Sequence, residues 1–326
     1  MTTSQLHRRD GALMNRDGAL MNWAILATLG LIWGASFLGV ELALTGFGPV
    51  TIAAGRVSVA ALILVSCALA FGNGLPGFTT PVERRIWLHC FGMGLFTNAL
   101  PFSLLSWGQQ TVTSGFAGIT MAVVPLLVLP LSHFLVPGET MNRVKTIGFL
   151  FGFGGVVLLV GGDELFSQTA QRGPAGGAMQ WAQIACVVAS CCYAIGSIIT
   201  RLCPPVSTLS YAAAGLLLGG AMLVPVALVT DGLPHQAPVT AMAGLAYLAI
   251  FPTAIATILL TVLIRRAGPP FLSLVNYQVP VWAVIFGAVI LGEALPGHFL
   301  LALGVILGGL FLSQIKIRRT AASQKP

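Results

Sequence analysis

Arg56 asks more of its surroundings than any other residue in the chain. It lies seven residues past Pro49 in an apolar run, 48–71, that holds no other charge. At 1.5 Å per residue that is roughly 10 Å below the start of a helix. Placing a guanidinium there costs about 2.5–3.5 kcal/mol on insertion scales, so Arg56 should face protein and have a partner. Two partners stand open: a substrate carboxylate gripped by the fork of N–H donors, or a structural tie to Glu41 or to helix-end carbonyls near the outer face. Neutral polar and aromatic residues fall at similar depth in the other apolar runs: Trp33 and Ser36, Asn98, Thr120, Tyr193 and Ser197, Thr253 and Thr257, and the consecutive Asn276, Tyr277 and Gln278. A lone Ser or Thr usually bonds back to its own helix, and Trp33 and Tyr193 serve equally well as packing. The amides of Asn98, Asn276 and Gln278 are harder to dismiss, because an amide cannot fully satisfy itself within one helix. Aromatic faces, amides and one cation suit a zwitterionic or weakly polar small molecule with an apolar part. A permanently cationic ligand would want a buried carboxylate.

That carboxylate is missing. Asp10, Asp17, Glu41, Glu83, Glu139, Asp163, Glu164, Asp231 and Glu293 all map to tails, loops or helix ends. An intramembrane aspartyl protease, which needs two deep carboxylates, is therefore disfavoured. So is any embedded enzyme built on a nucleophile and base at depth. No Gly-x-x-x-x-Gly-Lys-Ser/Thr loop occurs, so the chain carries no ATPase of that type. His133 and His89 lie near run ends, where a histidine is interfacial or packed. Proton-driven carriers keep an ionisable relay inside the bundle; here facilitated transport or exchange is the expectation, with no metal or cofactor. The six cysteines fall in or beside apolar runs, and no disulfide framework is expected.

These residues must be positioned by membrane helices. With 56% hydrophobic and 8% charged residues and a mean hydropathy of +0.91, the chain lies far from soluble domains, which run near 25% charged. The expectation is an all-α, polytopic membrane protein. Its pI near 9.5 does not indicate nucleic acid, because the basic residues come in ones and twos between apolar runs. Residues 9–15 and 16–22 repeat RDGALMN, which reads as a duplicated start with Met14 or Met21 as alternatives. The first run, 23–44, is too long for a signal peptide and lacks a small-residue cleavage site. Runs at 48–71, 86–107, 113–136, 143–162, 178–200, 206–230, 239–264, 268–292 and 296–316 complete ten spans. All but two of the 16 Lys and Arg then fall on the side of the N-terminus, the exceptions being Arg172 and the intrahelical Arg56. The positive-inside rule puts both termini in the cytoplasm, with the protein in the inner (plasma) membrane.

The ten spans divide evenly. Residues 1–21 form a tail, 22–162 a first five-helix repeat, 163–177 a Gly-rich linker, 178–316 a second repeat and 317–326 a second tail. Gly115–Glu139 echoes Gly268–Glu293: each carries a proline well inside it (Pro125, Pro280) and ends in Gly-Glu. Proline removes a backbone donor and clashes with the preceding turn, so both helices should crease at mid-membrane and gate the path. Such paired interruptions are a pointer to a transporter's substrate site. Five is odd, so the second repeat enters the membrane from the opposite side and the repeats are inverted. The glycine spacings Gly148/Gly152 and Gly304/Gly308 read as close helix packing.

In these residues the chain resembles the drug/metabolite transporter superfamily, EamA type. The resemblance rests on Ile32-Trp-Gly-Ala-Ser-Phe37, Arg56, Asn98-Ala-Leu-Pro101 with Trp107, Pro125 to Glu139, Pro252-Thr-Ala254 and the run from Gly268 to Glu293. It covers about residues 22–316. It implies ten helices with both termini inside, a central cavity between the halves, and export of metabolites such as amino acids. The second half departs from the first in lacking an Arg56 counterpart and in placing Tyr193 where the first half has Trp33, so the site should be asymmetric. The resulting expectation is a monomeric secondary exporter of small metabolites. Its partners would be that substrate and the lipid bilayer, without nucleic acid. Multidrug efflux, dependent on Glu41, is the alternative. Substrate contacts are expected from Trp33, Ser36, Arg56, Asn98, Tyr193, Asn276, Tyr277 and Gln278, and gating from Pro125 and Pro280.

Overall fold

A computed structural model describes residues 3–72, 74–166, 174–233 and 236–315. Among them there is no strand, and nine helices are long and apolar enough to cross a membrane. In hydrocarbon every backbone N–H and C=O must be satisfied within the segment, and the helix does this. In chain order the membrane helices are α1 (Gly18–Leu44), α2 (Pro49–Phe71), α3 (Pro81–Gly108), α4 (Ser114–Leu135), α5 (Arg143–Gly162), α6 (Gly177–Leu202), α7 (Thr208–Thr230), α8 (Val239–Ala267), α9 (Val275–Ile290) and α10 (Gly297–Gln314). The ninth is shorter than the sequence suggested. The expected span 268–292 is split into a single turn, Pro269–Leu272, and α9 proper. The helix that leads into α1 already begins at Thr3, so no break separates the polar leader from the first span. The expected linker lies partly, and the C-terminal tail wholly, outside the described residues.

Helix starts follow local chemistry. Thr80 and Glu83 form a reciprocal capping box at the head of α3, with Pro81 at its first position. Thr113 accepts from the Phe116 N–H at the head of α4. At the end of α9, Gly292 adopts φ +66°, which lets the Glu293 N–H turn back to the Gly287 carbonyl at 3.0 Å. That turn aims the Glu293 side chain along the surface toward α4.

Helix neighbours repeat under an exchange of each helix with the one five later. The helix α1 packs on α8 and α9, and correspondingly α6 packs on α3 and α4. Three further pairs, α2 with α7, α4 with α9 and α5 with α10, map onto themselves. Glycines permit the closest of these approaches. A Cβ on Gly148 would lie 2.6 Å from the Gly309 carbonyl oxygen, so α5 and α10 meet backbone to backbone. On α1, Gly30 and Gly34 receive Gln278 and Trp282 of α9.

Pro125 acts one turn before its own position, whereas the crease expected at Pro280 does not form: α9 runs unbroken through that proline. Pro125 has no N–H for the Met121 carbonyl, and α4 is broken at Met121–Ala122 into Ser114–Thr120 and Val123–Leu135. Pro125 itself sits in the first turn of the second piece. In the ninth segment the interruption falls at Ser273–Leu274, before Pro280. There the Asn276 and Tyr277 N–H groups bond three residues back, to Ser273 and Leu274.

Two interruptions were not anticipated. Helices α3 and α8 each contain one π-helical stretch, Gly94–Ala99 and Ile250–Ile255, at corresponding places in the two halves. Each is associated with a proline, Pro101 or Pro252. In each the closing bond runs five residues back, from Leu100 to Leu95 and from Ala256 to Phe251. Such bulges concentrate at functional sites.

Candidate functional site

The interrupted helices α3, α4, α8 and α9, and α1, which is itself broken at Ala35, surround a cavity of about 400 Å³ together with α2, α6 and α7. Its wall is mainly apolar and aromatic, with Trp33, Phe37, Phe102, Tyr193 and Tyr211 among the lining residues and no carboxylate or histidine. That is within the range of small-molecule sites. Taking the side where α1 begins as the near face, the lining runs from Val40 and Gln109 at the far end to Thr200, Thr208 and Tyr211 at the near end. Exposure grades the same way. Val40 and Gln109 are each 3% exposed, whereas Ser197 and Thr200 are exposed. The near end is thus the more open of the two, although Tyr211 there is itself buried.

Arg56 forms the buried end of this space, 5% exposed. Its Nε and Nη2 donate to a single oxygen, Thr253 Oγ1, at 3.3 and 3.2 Å, and its guanidinium stacks on the Phe102 ring at 3.7 Å. The Pro252 π-turn explains why Thr253 is there. Proline at 252 offers no N–H to the Leu248 carbonyl, and Thr253 Oγ1 donates to that carbonyl instead, at 2.7 Å. The hydroxyl oxygen is thereby turned toward Arg56 as an acceptor. The same turn leaves the Pro252 carbonyl to receive the Trp33 Nε1–H at 3.0 Å, which ties α1 to α8. The structural tie to Glu41 does not form: among the described residues no carboxylate lies within ion-pair distance of Arg56.

Of the eight expected contact residues, Trp33, Ser36, Arg56, Asn98, Tyr193 and Asn276 line the cavity. Ser36 donates to the Trp33 carbonyl at 2.6 Å, the ordinary local bond of a helical serine. Asn98, within the α3 π-turn, donates from Nδ2 to the Met93 carbonyl at 3.3 Å. The Asn276 side chain lines the cavity without a hydrogen-bond partner among the described residues. Tyr277 and Gln278 are not part of the lining. The Gln278 side chain lies against α1, where a Cβ on Gly30 would come 2.6 Å from its Oε1, and Tyr277 packs on the apolar core. Successive residues of a helix point about 100° apart, so three in a row cannot share one wall. Neither Pro125 nor Pro280 touches the cavity; Pro125 acts through the break at Met121–Ala122.

Phe102, Thr253 and Gln109 carry more than the sequence reading gave them. Gln109 Nε2 donates to the Phe37 carbonyl at 2.9 Å and closes the far end of the cavity. The readable signal for Thr253 was Pro252 beside it. For Phe102 it was Pro101.

The far face is held by two carboxylates from the second half. Glu293 accepts from the Ser114 and Gly115 N–H groups at 2.7 and 2.9 Å, at the head of α4. Asp231 accepts from the Thr51 N–H at 2.7 Å, at the head of α2. Each carboxylate satisfies donors that a helix start leaves unpaired. Between these points α4 and α9 touch closely at Gly118 and Ala283. The near face differs. Glu139, the Glu293 counterpart, pairs on the surface with Arg201 and lies 3.9 Å from Lys145. The helical turn that would match the head of α4 starts with Pro269 and Pro270, which have no backbone N–H to offer a carboxylate.

The EamA-like transporter family matches this chain twice, over residues 21–161 and 180–314. The uncharacterized inner membrane transporter YedA of Escherichia coli (strain K12) is 26% identical over 284 residues, covering 86% of this chain and 87% of its own. A probable terminal-alkyne amino-acid exporter of Streptantibioticus cattleyicolor is 26% identical over 298 residues, covering 89% and 92%. An S-adenosylmethionine/S-adenosylhomocysteine transporter of Chlamydia muridarum is 25% identical over 287 residues, covering 85% and 86%. A solved crystal structure superposes with a TM-score of 0.63 at 21% identity over 90% of this chain and 97% of its own, a likeness of fold.

Proposed function

We propose that this chain, which belongs to the EamA-like transporter family, is a secondary exporter of amino acids or related small metabolites. It is a membrane transporter and not an enzyme; the substrate, the direction and the mechanism are the proposal. The observation that carries it is the cavity of about 400 Å³ enclosed between the two halves, where α3, α4 and α8 and the approach to α9 all depart from regular helix. Irregular backbone at membrane depth is tolerated where it lines a cavity or is buried in protein, and paired interruptions across repeats mark substrate sites in transporters.

The near face is cytoplasmic in this reading, since α1 starts there and the exposed loops around Arg84, Arg143, Arg201 and Arg266 lie on that side. The cavity is then loaded from the cytoplasm. One half rocks against the other about the interrupted helices, the far-face contacts of Glu293 and Asp231 part, and the substrate leaves on the other side. An amino-acid exporter and an S-adenosylmethionine transporter among the relatives support the substrate class. Multidrug efflux of cations fits less well, because the lining holds a cation and no acidic group.

Counterflow of radiolabelled amino acids in proteoliposomes tests the proposal. Uptake driven by unlabelled amino acid inside is expected, with Asn276→Ala reducing it about tenfold at equal expression, as for one lost hydrogen bond to a charged group. Collapsing the proton gradient should leave counterflow intact, given a lining without carboxylate or histidine. Absence of counterflow for every amino acid would overturn the reading.

A further inference from the structure

The Arg56 guanidinium has five N–H donors, and the protein uses two of them, both on Thr253 Oγ1. Among the described residues it has no ion-pair partner, although it is 5% exposed. A buried charge is ordinarily paired, because leaving it alone forfeits its hydration without return. Phe102 covers one face of the guanidinium plane and Thr253 one edge, leaving a hydrogen-bonding edge unsatisfied in a residue that lines the cavity. An Arg edge presented this way matches a carboxylate in two parallel bonds. The rest of the lining is mainly aromatic and apolar with neutral polar groups, and among the described residues it holds no acidic group to receive an ammonium.

We infer that the cavity selects small monocarboxylates: a carboxylate docks on Arg56 and an apolar body lies among Trp33, Phe102 and Tyr193. An α-amino group is tolerated, with Asn276 as a neutral acceptor, but it is not the group recognised. Thr253 and Phe102 are positioning residues that hold the guanidinium plane. This rests on the transport reading for its physiological meaning, yet it is a statement about binding and is tested as such.

The test uses the purified full-length chain at neutral pH and three probes sharing one skeleton: 3-phenylpropanoate, 3-phenylpropanamide and 2-phenylethylamine. A ligand that binds the folded state raises the unfolding midpoint. The acid is expected to bind about 10- to 100-fold more tightly than the amide, the scale of a charge-assisted hydrogen bond, and the amine not at all. Arg56→Gln should abolish the preference for acid over amide, while Thr253→Val should weaken it. Equal binding of acid and amide by the unaltered chain overturns the inference, and so does no binding of the acid at millimolar concentrations. A preference retained in Arg56→Gln overturns it too. Should Arg56→Gln not fold, the comparison of acid with amide on the unaltered chain decides. Binding of the acid without counterflow would sink the transport reading alone. Counterflow of amines with no acid binding would sink this inference alone.

Discussion

Side-chain bonds near Pro252 form a chain whose links can be cut singly. The Trp33 indole bond to the Pro252 carbonyl joins two helices and is worth about 1 kcal/mol net. Trp33→Phe should therefore lower the unfolding midpoint modestly while leaving the aromatic wall in place, as thermal unfolding of the purified protein would show. Gln278→Ala should behave as a packing change, altering stability more than substrate affinity, because its side chain lies against Gly30 rather than in the cavity. Of the residues that line the cavity, those marked out by depth alone were legible from the sequence. Arg56, Asn98 and Trp33 stand out because they are costly or awkward in hydrocarbon. The run Asn276–Gln278 was less legible, since facing is a matter of helical phase and the break at Ser273–Leu274 resets that phase.

At the scale of elements, the deciding features are missing N–H groups. Pro125 breaks α4 at Met121–Ala122, and Pro252 makes the Leu248 carbonyl available to Thr253. Pro252→Ala would restore a donor for Leu248 and compete with the Thr253 hydroxyl. The π-turn should relax toward regular helix, with transport falling about tenfold for about 1.4 kcal/mol of lost positioning. Stability should be unchanged or raised. Transport assays paired with thermal unfolding would separate the two effects. The close contact of α5 with α10 predicts the reverse pattern: Gly148→Leu drives a side chain into the Gly309 backbone, so folded yield should fall before activity per molecule does. Proline and glycine positions were readable from the sequence, and so was the existence of the spans. The π-turns were not, because a proline's own position does not say whether the freed carbonyl will be met by a wider turn, a side chain or a break.

For the molecule as a whole, the helical membrane architecture followed from hydropathy and loop charges, and the family from the resemblance carried by motifs such as Ile32–Phe37 and Asn98–Pro101. The asymmetry between faces did not. It depends on contacts between residues such as Ser114 and Glu293, far apart in the sequence, that no local pattern announces. Glu293 and Asp231 hold the far face through charge-assisted bonds to helix starts, each worth about 1.5–3 kcal/mol. The exposed Glu139–Arg201 pair contributes about 0–1 kcal/mol. Glu293→Ala should accordingly favour opening of the far face. In a background with its cysteines replaced, a Gln109→Cys reporter should then react faster with an impermeant maleimide from that side.

Consecutive prolines at 269 and 270 supply no amide hydrogens, so a mirrored latch on the other surface has nothing to hold. On the transport reading, a shutter bolted at one edge and held at the other only by an exposed pair would spend its idle time ajar on the looser side. Inhibitors delivered from the compartment where α1 begins would thus find most unoccupied molecules already waiting, whereas those arriving from across the bilayer must queue for a rare excursion.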